Sequence, residues 1–288
     1  MTGATLSIPG LQWNPDGYSA LDGELLKLAR RLDSVFLSWA IDMGCTEFDF
    51  PSFISLESLQ PLAYLQSFPH LATFAFTQEC NPESLTEFSR GCSRHEAVSK
   101  DENWEPSRQL LTPAACYHFY HRLAGQNLAE AQYLTTNCPC HRREESYTPL
   151  ARQWCFHMRE LVYIGSSNGA DSFVKNCRDR INKFISQLGI EASWEPAMDP
   201  FFNPESNPAA LAQQLEPAKE ELTLLNGLAI GSINRHRSYF GECYNIYFDK
   251  KPARSACVAF GLERWLLAVV QAHGTNPEHW PKLAGGGQ

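Results

Sequence analysis

Residues 256–264 read Ala-Cys-Val-Ala-Phe-Gly-Leu-Glu-Arg. The first five are mostly apolar and predict a buried strand. Apolar residues at helical spacing then continue from Leu262 to His273, and Gly274 predicts the end of that helix. The stretch therefore predicts a strand followed directly by a helix, with Cys257 inside the strand and Arg264 in the first turn of the helix.

The rest of the chain predicts the same two kinds of element. A first helix, ending at Gly44, is indicated by apolar residues at helical spacing: Leu21, Leu25, Leu28, Leu32, Phe36 and Trp39. A second helix is predicted over 172–188, and strands are predicted over 47–50, 156–164, 224–233 and 244–248. Residues 195–217 contain five prolines and predict a long connection over the surface.

Composition limits the classes of function. The chain has 288 residues, 43% of them hydrophobic, which suffices to bury a full core. A net charge of -8 provides no global field to hold a polyanion such as tRNA. Because the sequence shows neither a leader-like start nor an apolar run that could span a bilayer, we expect a soluble, cytoplasmic protein without a membrane partner. In such a chain, ten cysteines predict reduced thiols rather than structural disulfides.

Three short motifs follow one another along the chain. Residues 44–51 read Gly-Cys-Thr-Glu-Phe-Asp-Phe-Pro, residues 141–144 read His-Arg-Arg-Glu, and residues 260–264 read Phe-Gly-Leu-Glu-Arg. In this order they resemble motifs 1, 2 and 3 of the class II aminoacyl-tRNA synthetases, and residues 152–156 resemble the end of the motif 2 loop. Because three motifs in the right order are far more specific than any one of them, the resemblance is strong.

Within class II, the motif sequences are most similar to those of the atypical, zinc-dependent seryl-tRNA synthetases and of their shorter relatives, the amino acid:[carrier protein] ligases. The resemblance runs over about 44–280. It implies an α/β (α+β) fold of the class II catalytic type, with a mostly antiparallel sheet of six to seven strands flanked by helices. It also implies one catalytic domain over 1–288, a helical and proline-rich insertion at about 166–218, no tRNA-binding domain, and a homodimer formed through motif 1.

The resemblance assigns the contacts to ATP. Arg142, the motif 2 arginine, would be catalytic by bridging the α-phosphate and the carboxylate of the substrate. Arg264, also catalytic, would bind the γ-phosphate together with Arg152. Phe156 would stack on adenine, and Glu144 would accept a hydrogen bond from its exocyclic amine.

The resemblance also implies a zinc ion held by Cys116, Glu160 and Cys257. Two thiolates and one carboxylate leave a fourth tetrahedral position open, as in catalytic rather than structural zinc sites. That position would take the amine of the substrate amino acid. The predicted substrate contacts are Arg142, Glu160, Ser232 and Asn234.

Two questions about metals stay open in the sequence. The segment Cys138-Pro-Cys140-His141, with Cys155 or His157, offers a competing set of metal ligands. Class II enzymes bind ATP with Mg²⁺ through an acidic residue just upstream of the Ser232 segment, and residues 228–231 contain none. Glu221 or Glu242 could replace it.

The expected function is ATP-dependent activation of a small amino acid, most simply glycine or alanine, as an aminoacyl-adenylate. Transfer would follow to the phosphopantetheine thiol of a carrier protein. A tRNA-charging enzyme that takes RNA in trans and a regulatory paralogue without catalysis are the alternatives. Carrier proteins are acidic, so Arg178, Arg180 and Lys183 on the second helix are candidates for docking, against the alternative of an ordinary solvated helix face.

Overall fold

The computed structural model describes residues 7–91 and 104–283, and strands joined by helices run through both ranges. The strands are β1 (Leu11–Asn14), β2 (Tyr18–Leu21), β3 (Thr46–Phe48), β4 (Phe53–Ser55), β5 (Phe74–Ala75), β6 (Gln109–Leu111), β7 (Asn127–Leu128), β8 (Gln132–His141), β9 (Cys155–Gly165), β10 (Ala192–Ala197), β11 (Lys219–Leu224), β12 (Ala229–Arg237), β13 (Tyr247–Phe248), β14 (Lys251–Pro252) and β15 (Arg254–Gly261). The α-helices are α1 (Gly23–Asp42), α2 (Leu56–Leu59), α3 (Tyr64–Ser67), α4 (Pro82–Gly91), α5 (Tyr117–Arg122), α6 (Ser167–Gln187), α7 (Pro208–Leu215), α8 (Tyr239–Cys243) and α9 (Leu262–His273).

A seven-stranded sheet forms the centre of the structure, in the order β10-β11-β12-β15-β9-β8-β3. Each neighbouring pair is antiparallel except β3 with β8, which is parallel. This confirms the predicted fold class. The hairpin β1-β2 and two three-stranded sheets, β14-β13-β7 and β4-β6-β5, surround the central sheet. Within the two described ranges, none of the helices has the length and apolar character needed to cross a bilayer.

Helices α1, α6 and α9 cover one face of the sheet. The ring of Phe36 in α1 stacks on Phe260 in β15 with 4.0 Å between centroids, and Trp265 in α9 meets Phe36 edge-on at 5.1 Å. Phe184 in α6 completes the cluster with a centroid 6.0 Å from Phe36. Because these rings bury large apolar areas against one strand, they fix three helices on a single face and leave the opposite face for other contacts.

The predicted helices are present, with small differences at their ends. Helix α9 has the predicted bounds, and Gly274 follows it with φ +79°. Helix α6 begins five residues earlier than predicted because the Ser166 side chain accepts a hydrogen bond from the Gly169 amide and caps the helix there. Leu21 lies in β2 rather than in the first helix, which begins at Gly23.

Three other sequence predictions need correction. The strand predicted over 224–233 is interrupted, because the chain turns between β11 and β12 at Gly227, where φ is +83°, and only 229–233 belong to β12. The strand predicted over 244–248 is limited to β13, outside the central sheet. Residues 195–217 are more than a connection, since they contain the end of β10 and all of α7. The segment 166–218 contributes α6 to the helical layer and β10 to the edge of the sheet.

A buried arginine ties the sheet to α1 and to motif 1. Only 2% of the Arg159 side chain is exposed. Its Nε and Nη2 donate to the two carboxylate oxygens of Asp33 in α1 at 2.7 and 2.8 Å, and its Nη1 donates to Glu47 in β3 at 2.8 Å. The fork geometry of the guanidinium satisfies both carboxylates, and this pairing compensates for the burial of the charge.

We expect Arg159→Ala to lower the free energy of unfolding by about 2–4 kcal/mol, because it leaves a cavity in place of a buried side chain and removes the partner of two partly exposed carboxylates. Urea denaturation followed by circular dichroism measures the change. The control is Arg180→Ala, which removes an ion pair with the exposed Asp42 at 2.9 Å and should cost less than about 1 kcal/mol. Equal losses in the two variants would contradict this prediction.

Candidate active site

The sheet face opposite α1 carries polar side chains that line a cavity of about 740 Å³. Strand pairing arranges them in two rows across the sheet. One row runs through Glu221, Ser232, Ala259 and Glu160, and the neighbouring row runs through Lys219, Asn234 and Cys257. Because side chains alternate between the faces of a strand, these positions share one face.

The residues predicted for the site all line this cavity. They are Cys116, Arg142, Glu144, Arg152, Phe156, Glu160, Ser232, Asn234, Cys257 and Arg264. Strands β9, β12 and β15, the loop between β8 and β9, the residue that precedes α5 and the first turn of α9 bring them together. Their individual roles stay predictions.

The three proposed zinc ligands form a buried group. Their ligand atoms lie within 4.8 Å of one another. Cys116, Glu160 and Cys257 are 5%, 2% and 3% exposed. Glu160 Oε1 accepts a hydrogen bond from the Ala115 amide at 3.0 Å, whereas Oε2 is buried without a hydrogen-bond partner among the described residues. A buried carboxylate oxygen without a donor is costly, and a cation would compensate for it.

The pKa values of the three side chains also favour a bound cation. Burial raises the pKa of the Glu160 carboxyl to about 8. The hydrogen bond between the two thiols raises the pKa of Cys116, which burial raises further, and lowers the pKa of Cys257. Three acidic groups that compete for protons in so small a volume suit a bound cation, since metal binding releases those protons. The donor set therefore fits zinc with one position open.

The competing ligand set does not assemble. Cys138 and Cys140 are buried, but within residues 7–91 and 104–283 the triad is the one group of three or more such ligands that comes together. His141 follows Cys140 directly along β8 and therefore projects to the other face of the strand. His157 is held by Glu263 instead. The contacts of the described residues therefore do not support the alternative metal site at 138–141.

Sequence reasoning missed His236, which lies beside the triad. Its Nε2 is 3.5 Å from Cys257 Sγ, and its Nδ1 is 3.1 Å from the Tyr120 hydroxyl and 3.2 Å from the Ser255 hydroxyl. The Asn234 amide donates to the same sulfur at 3.4 Å. The period-2 pattern Ser232, Asn234, His236 could have indicated this shared face.

Two arginines are anchored by backbone carbonyls. Arg142 Nε donates to Pro113 O at 2.8 Å, and its guanidinium lies over the Phe156 ring at 5.4 Å. Arg264 donates from Nε to Ala151 O and from Nη1 to Ala229 O, both at 2.8 Å. These hydrogen bonds orient both guanidinium groups, and among the described residues both terminal nitrogens of Arg142 and Nη2 of Arg264 have no partner.

Other charged side chains line the same cavity. Glu144 is 3.5 Å from Arg152 across the motif 2 loop. Lys219 pairs at 2.9 Å with both Asp199 and Glu221. Sequence reasoning missed Asp199 and Lys219 as site residues, because both lie far from the three motifs along the chain. Glu242, the second candidate for Mg²⁺, also lines the cavity.

The candidate docking helix has little free charge. Arg178 pairs with Glu220 and lies 4.4 Å over the ring of Trp194. Arg180 pairs with Asp42 at 2.9 Å. Since two of the three proposed cations are engaged within the molecule, the contacts favour the alternative of an ordinary helix face.

Comparison with known proteins decides the family. A model of the tRNA synthetase class II core domain (G, H, P, S and T) matches residues 98–273. The chain is 32% identical over 242 residues to amino acid--[acyl-carrier-protein] ligase 2 of Bradyrhizobium diazoefficiens, covering 81% of this chain and 71% of that protein. The chain belongs to this family of class II ligases. The ligase is also 29% identical over 279 residues to ligase 1 of the same organism, covering 92% of its own length and 83% of that protein.

Synthetases are more distant relatives of the ligase. Identity to the type-2 serine--tRNA ligase of Methanococcus maripaludis is 26% over 283 residues, covering 90% of the ligase and 54% of the synthetase. A crystal structure of M. kandleri SerRS with A. aeolicus tRNASec superposes with a TM-score of 0.82 at 20% identity, covering 94% of the ligase and 56% of that chain. The likeness shows a shared fold, and the ligase spans little more than half the length of these synthetases.

A carboxylate of motif 3 holds the start of β9 in the ligase. Both oxygens of Glu263 accept from the His157 amide, at 2.9 and 3.0 Å, and Oε1 lies 2.9 Å from His157 Nδ1. This hydrogen bond raises the pKa of His157. A raised histidine pKa contributes stability below the unfolded value of about 6.5 and loses it as pH rises through the folded value.

We therefore expect Glu263→Gln to lower the pKa of His157 and to reduce the free energy of unfolding more at pH 6 than at pH 9. The difference should stay below about 1 kcal/mol because the imidazole is half exposed and solvent screens the pair. NMR titration of His157 and urea denaturation at the two pH values measure both effects. An unchanged His157 pKa in the variant would contradict the prediction.

Proposed function

We propose that the ligase activates a small amino acid with ATP and transfers it to the phosphopantetheine thiol of a carrier protein. The observation that carries this proposal is the buried triad of Cys116, Glu160 and Cys257 in the same cavity as the anchored arginines Arg142 and Arg264. An acidic group that fits a cation therefore lies beside a group of fixed positive charges. The names of the bacterial relatives support the acceptor.

The triad would select the amine of the substrate. Cys116, Glu160 and Cys257 would hold a zinc ion, which would supply a Lewis acid that favours an unprotonated amine. Asn234 and His236 would orient the Cys257 sulfur, because groups that contact a metal ligand fix its position. Ser232 lies within 3.2 Å of the Asn234 amide and would border the bound amino acid.

Arg142 would act on the carboxylate of the amino acid. In activation, a carboxylate oxygen attacks the α-phosphorus of ATP, the bond from that phosphorus to the bridging oxygen breaks, and pyrophosphate leaves. The terminal nitrogens of Arg142 would contact both the carboxylate and the α-phosphate, which aligns the reacting atoms and stabilises the charge that develops. The hydrogen bond from Arg142 Nε to Pro113 O holds the arginine side chain in place before substrate binds.

The remaining residues would hold ATP and Mg²⁺. Arg264 and Arg152 would bind the γ-phosphate, Phe156 would stack on adenine, and Glu144 would accept from the adenine amine. Glu221 is the better placed candidate for Mg²⁺, because it faces Ser232 across β11 and β12. Its carboxylate pairs with Lys219 at 2.9 Å and would exchange this partner for the ion.

Transfer would complete the reaction. The thiolate sulfur of the carrier attacks the carbonyl carbon of the adenylate, the bond from that carbon to the phosphate oxygen breaks, and AMP leaves. We infer that the substrate is glycine or alanine. Because they differ by one methyl group, the ligase would discriminate between them by about 1–3 kcal/mol of binding free energy.

We also infer a homodimer through motif 1, since β3 is an edge strand of three residues that another chain could cover.

The first test is ATP–pyrophosphate exchange with each of the twenty amino acids. We expect exchange with glycine or alanine, and we expect Cys257→Ala to lose both zinc and exchange because it removes one of three ligands. Metal analysis of the same samples measures zinc. The exposed Cys80 provides the matched control, Cys80→Ala, which should retain both.

The same assay separates the alternatives. Absence of exchange in zinc-loaded protein with all twenty amino acids would sink the proposal and favour a paralogue without catalysis. If exchange occurs but the activated amino acid is transferred to tRNA and not to a phosphopantetheinylated carrier, the tRNA-charging alternative replaces the proposed acceptor.

A second prediction compares neighbouring arginines. Arg142→Ala should lower the rate of exchange by about a hundredfold or more, because it removes a preorganised donor to the transferring phosphoryl group. Arg143→Ala removes the adjacent, exposed charge and should have little effect. Steady-state exchange rates at saturating ATP measure both. Similar rates in the two variants would refute the role of Arg142.

A further inference from the structure

The hairpin β1-β2 packs against the loop that joins β8 to β9. At the tip of the hairpin, the Gly17 carbonyl accepts hydrogen bonds from the amides of Trp154 at 2.7 Å and Cys155 at 3.3 Å. These amides lie at the end of the loop and the start of β9. The hairpin thus provides backbone partners for a loop that is remote from it in sequence.

Gln153 joins the hairpin to the loop with its side chain. The residue is 5% exposed. Its Oε1 accepts from the Ser19 hydroxyl at 2.9 Å and from the Leu150 amide at 3.2 Å, and its Nε2 donates to Cys155 O at 2.9 Å. One buried amide therefore connects β2, the loop and the start of β9, and its buried polar atoms are satisfied.

The loop needs this support because its backbone is strained. Leu150 has φ +58° and is 1% exposed. A leucine seldom adopts the left-handed region, so surrounding contacts must impose this conformation. The Leu150 amide donates to Gln153, which fixes the turn from within the loop.

The supported segment contains one of the proposed ATP contacts and anchors a second. Ala151 O receives the 2.8 Å hydrogen bond from Arg264 Nε, and Arg152 follows it directly. Gln153 is the next residue. A shift of Gln153 would therefore move the Ala151 carbonyl that anchors Arg264. It would also move the backbone of Arg152.

Gly17 lets the hairpin approach the loop closely. Its φ is +98°, and a Cβ atom at this position would lie 2.8 Å from the Tyr147 ring. Tyr147 belongs to the same loop. Any larger residue would be strained at this φ and would push the hairpin away from the ring.

We propose that the hairpin 11–21 positions the triphosphate contacts of the ligase, with Ser19 and Gln153 as positioning residues that act through Arg152 and Arg264. The inference rests on the proposed function, because it assigns ATP to these arginines. It concerns ATP alone. Neither Ser19 nor Gln153 has a hydrogen bond to a residue of the triad.

The test compares two hydrogen bonds of one hairpin. Ser19→Ala removes the hydrogen bond to the loop, whereas Gln12→Ala removes a 3.0 Å hydrogen bond to Asp22, the residue that directly follows the hairpin. Calorimetric titration with MgATP should give a Kd raised about five- to tenfold in Ser19→Ala, the effect of one lost hydrogen bond, and unchanged in Gln12→Ala. Ser19→Thr, which keeps the hydroxyl, should restore the affinity.

Two further readouts separate positioning from general instability. Hydrogen exchange should speed up in Ser19→Ala at the amides of Leu150, Trp154 and Cys155 and stay unchanged in the core strands. Zinc content and the KM for the amino acid should equal those of the unaltered ligase. Gly17→Ala should raise the Kd for MgATP further, since it displaces the hairpin tip.

The outcomes are distinct. Equal MgATP affinity and equal loop exchange in Ser19→Ala and Gln12→Ala would overturn this inference and leave the proposed function intact. Accelerated exchange throughout the protein would overturn it as well, because the hairpin would then be a general stabilising element. No binding of MgATP by the unaltered ligase would overturn the proposed function together with this inference.

Discussion

The pairing register of β9, β15 and β12 is the constraint on which the site depends. It places Glu160 opposite Ala259 and Cys257 opposite Asn234. A slip of one residue would turn both metal-ligand candidates toward the helical layer. Two contacts on that other face oppose such a slip, namely the buried ion pairs of Arg159 and the stacking of Phe260 on a ring of α1. Stability on one face therefore sets the chemistry of the other.

Acidic and basic groups lie side by side in the cavity. A buried carboxyl and two thiols form the acidic triad, which suits a cation. Beside them, Arg142 and Arg264 are anchored to backbone carbonyls and keep terminal nitrogens for anions. An amino acid with its amine toward the triad and its carboxylate toward Arg142 would match this distribution, and the phosphates of ATP would extend it. The net negative charge of the chain is compatible with this local arrangement because salt screens exposed surface charges beyond about 10 Å, whereas groups buried in the cavity are screened much less.

Loops complete the site, and distant elements hold those loops. The motif 2 loop contains Leu150 at positive φ and is supported by the N-terminal hairpin. On another wall, Asp199 is held by Lys219 at 2.9 Å and by Gln213 in α7 at 2.8 Å. Such segments have few contacts of their own, so their geometry depends on side chains that come from elsewhere in the chain.

Sequence alone determined the elements and residues that depend on local patterns. Periodic apolar spacing identified α9 to the residue, and the order of three motifs indicated the class II fold and the ten cavity residues. Only the tertiary structure decided what depends on distant partners. The apolar run 224–233 conceals a turn at Gly227, and the approach of His236 to Cys257 requires the pairing of β12 with β15. The link from Ser19 to Gln153 spans 134 residues. Local propensity cannot encode these relations, because strand register and loop packing arise from contacts between segments that are remote in sequence.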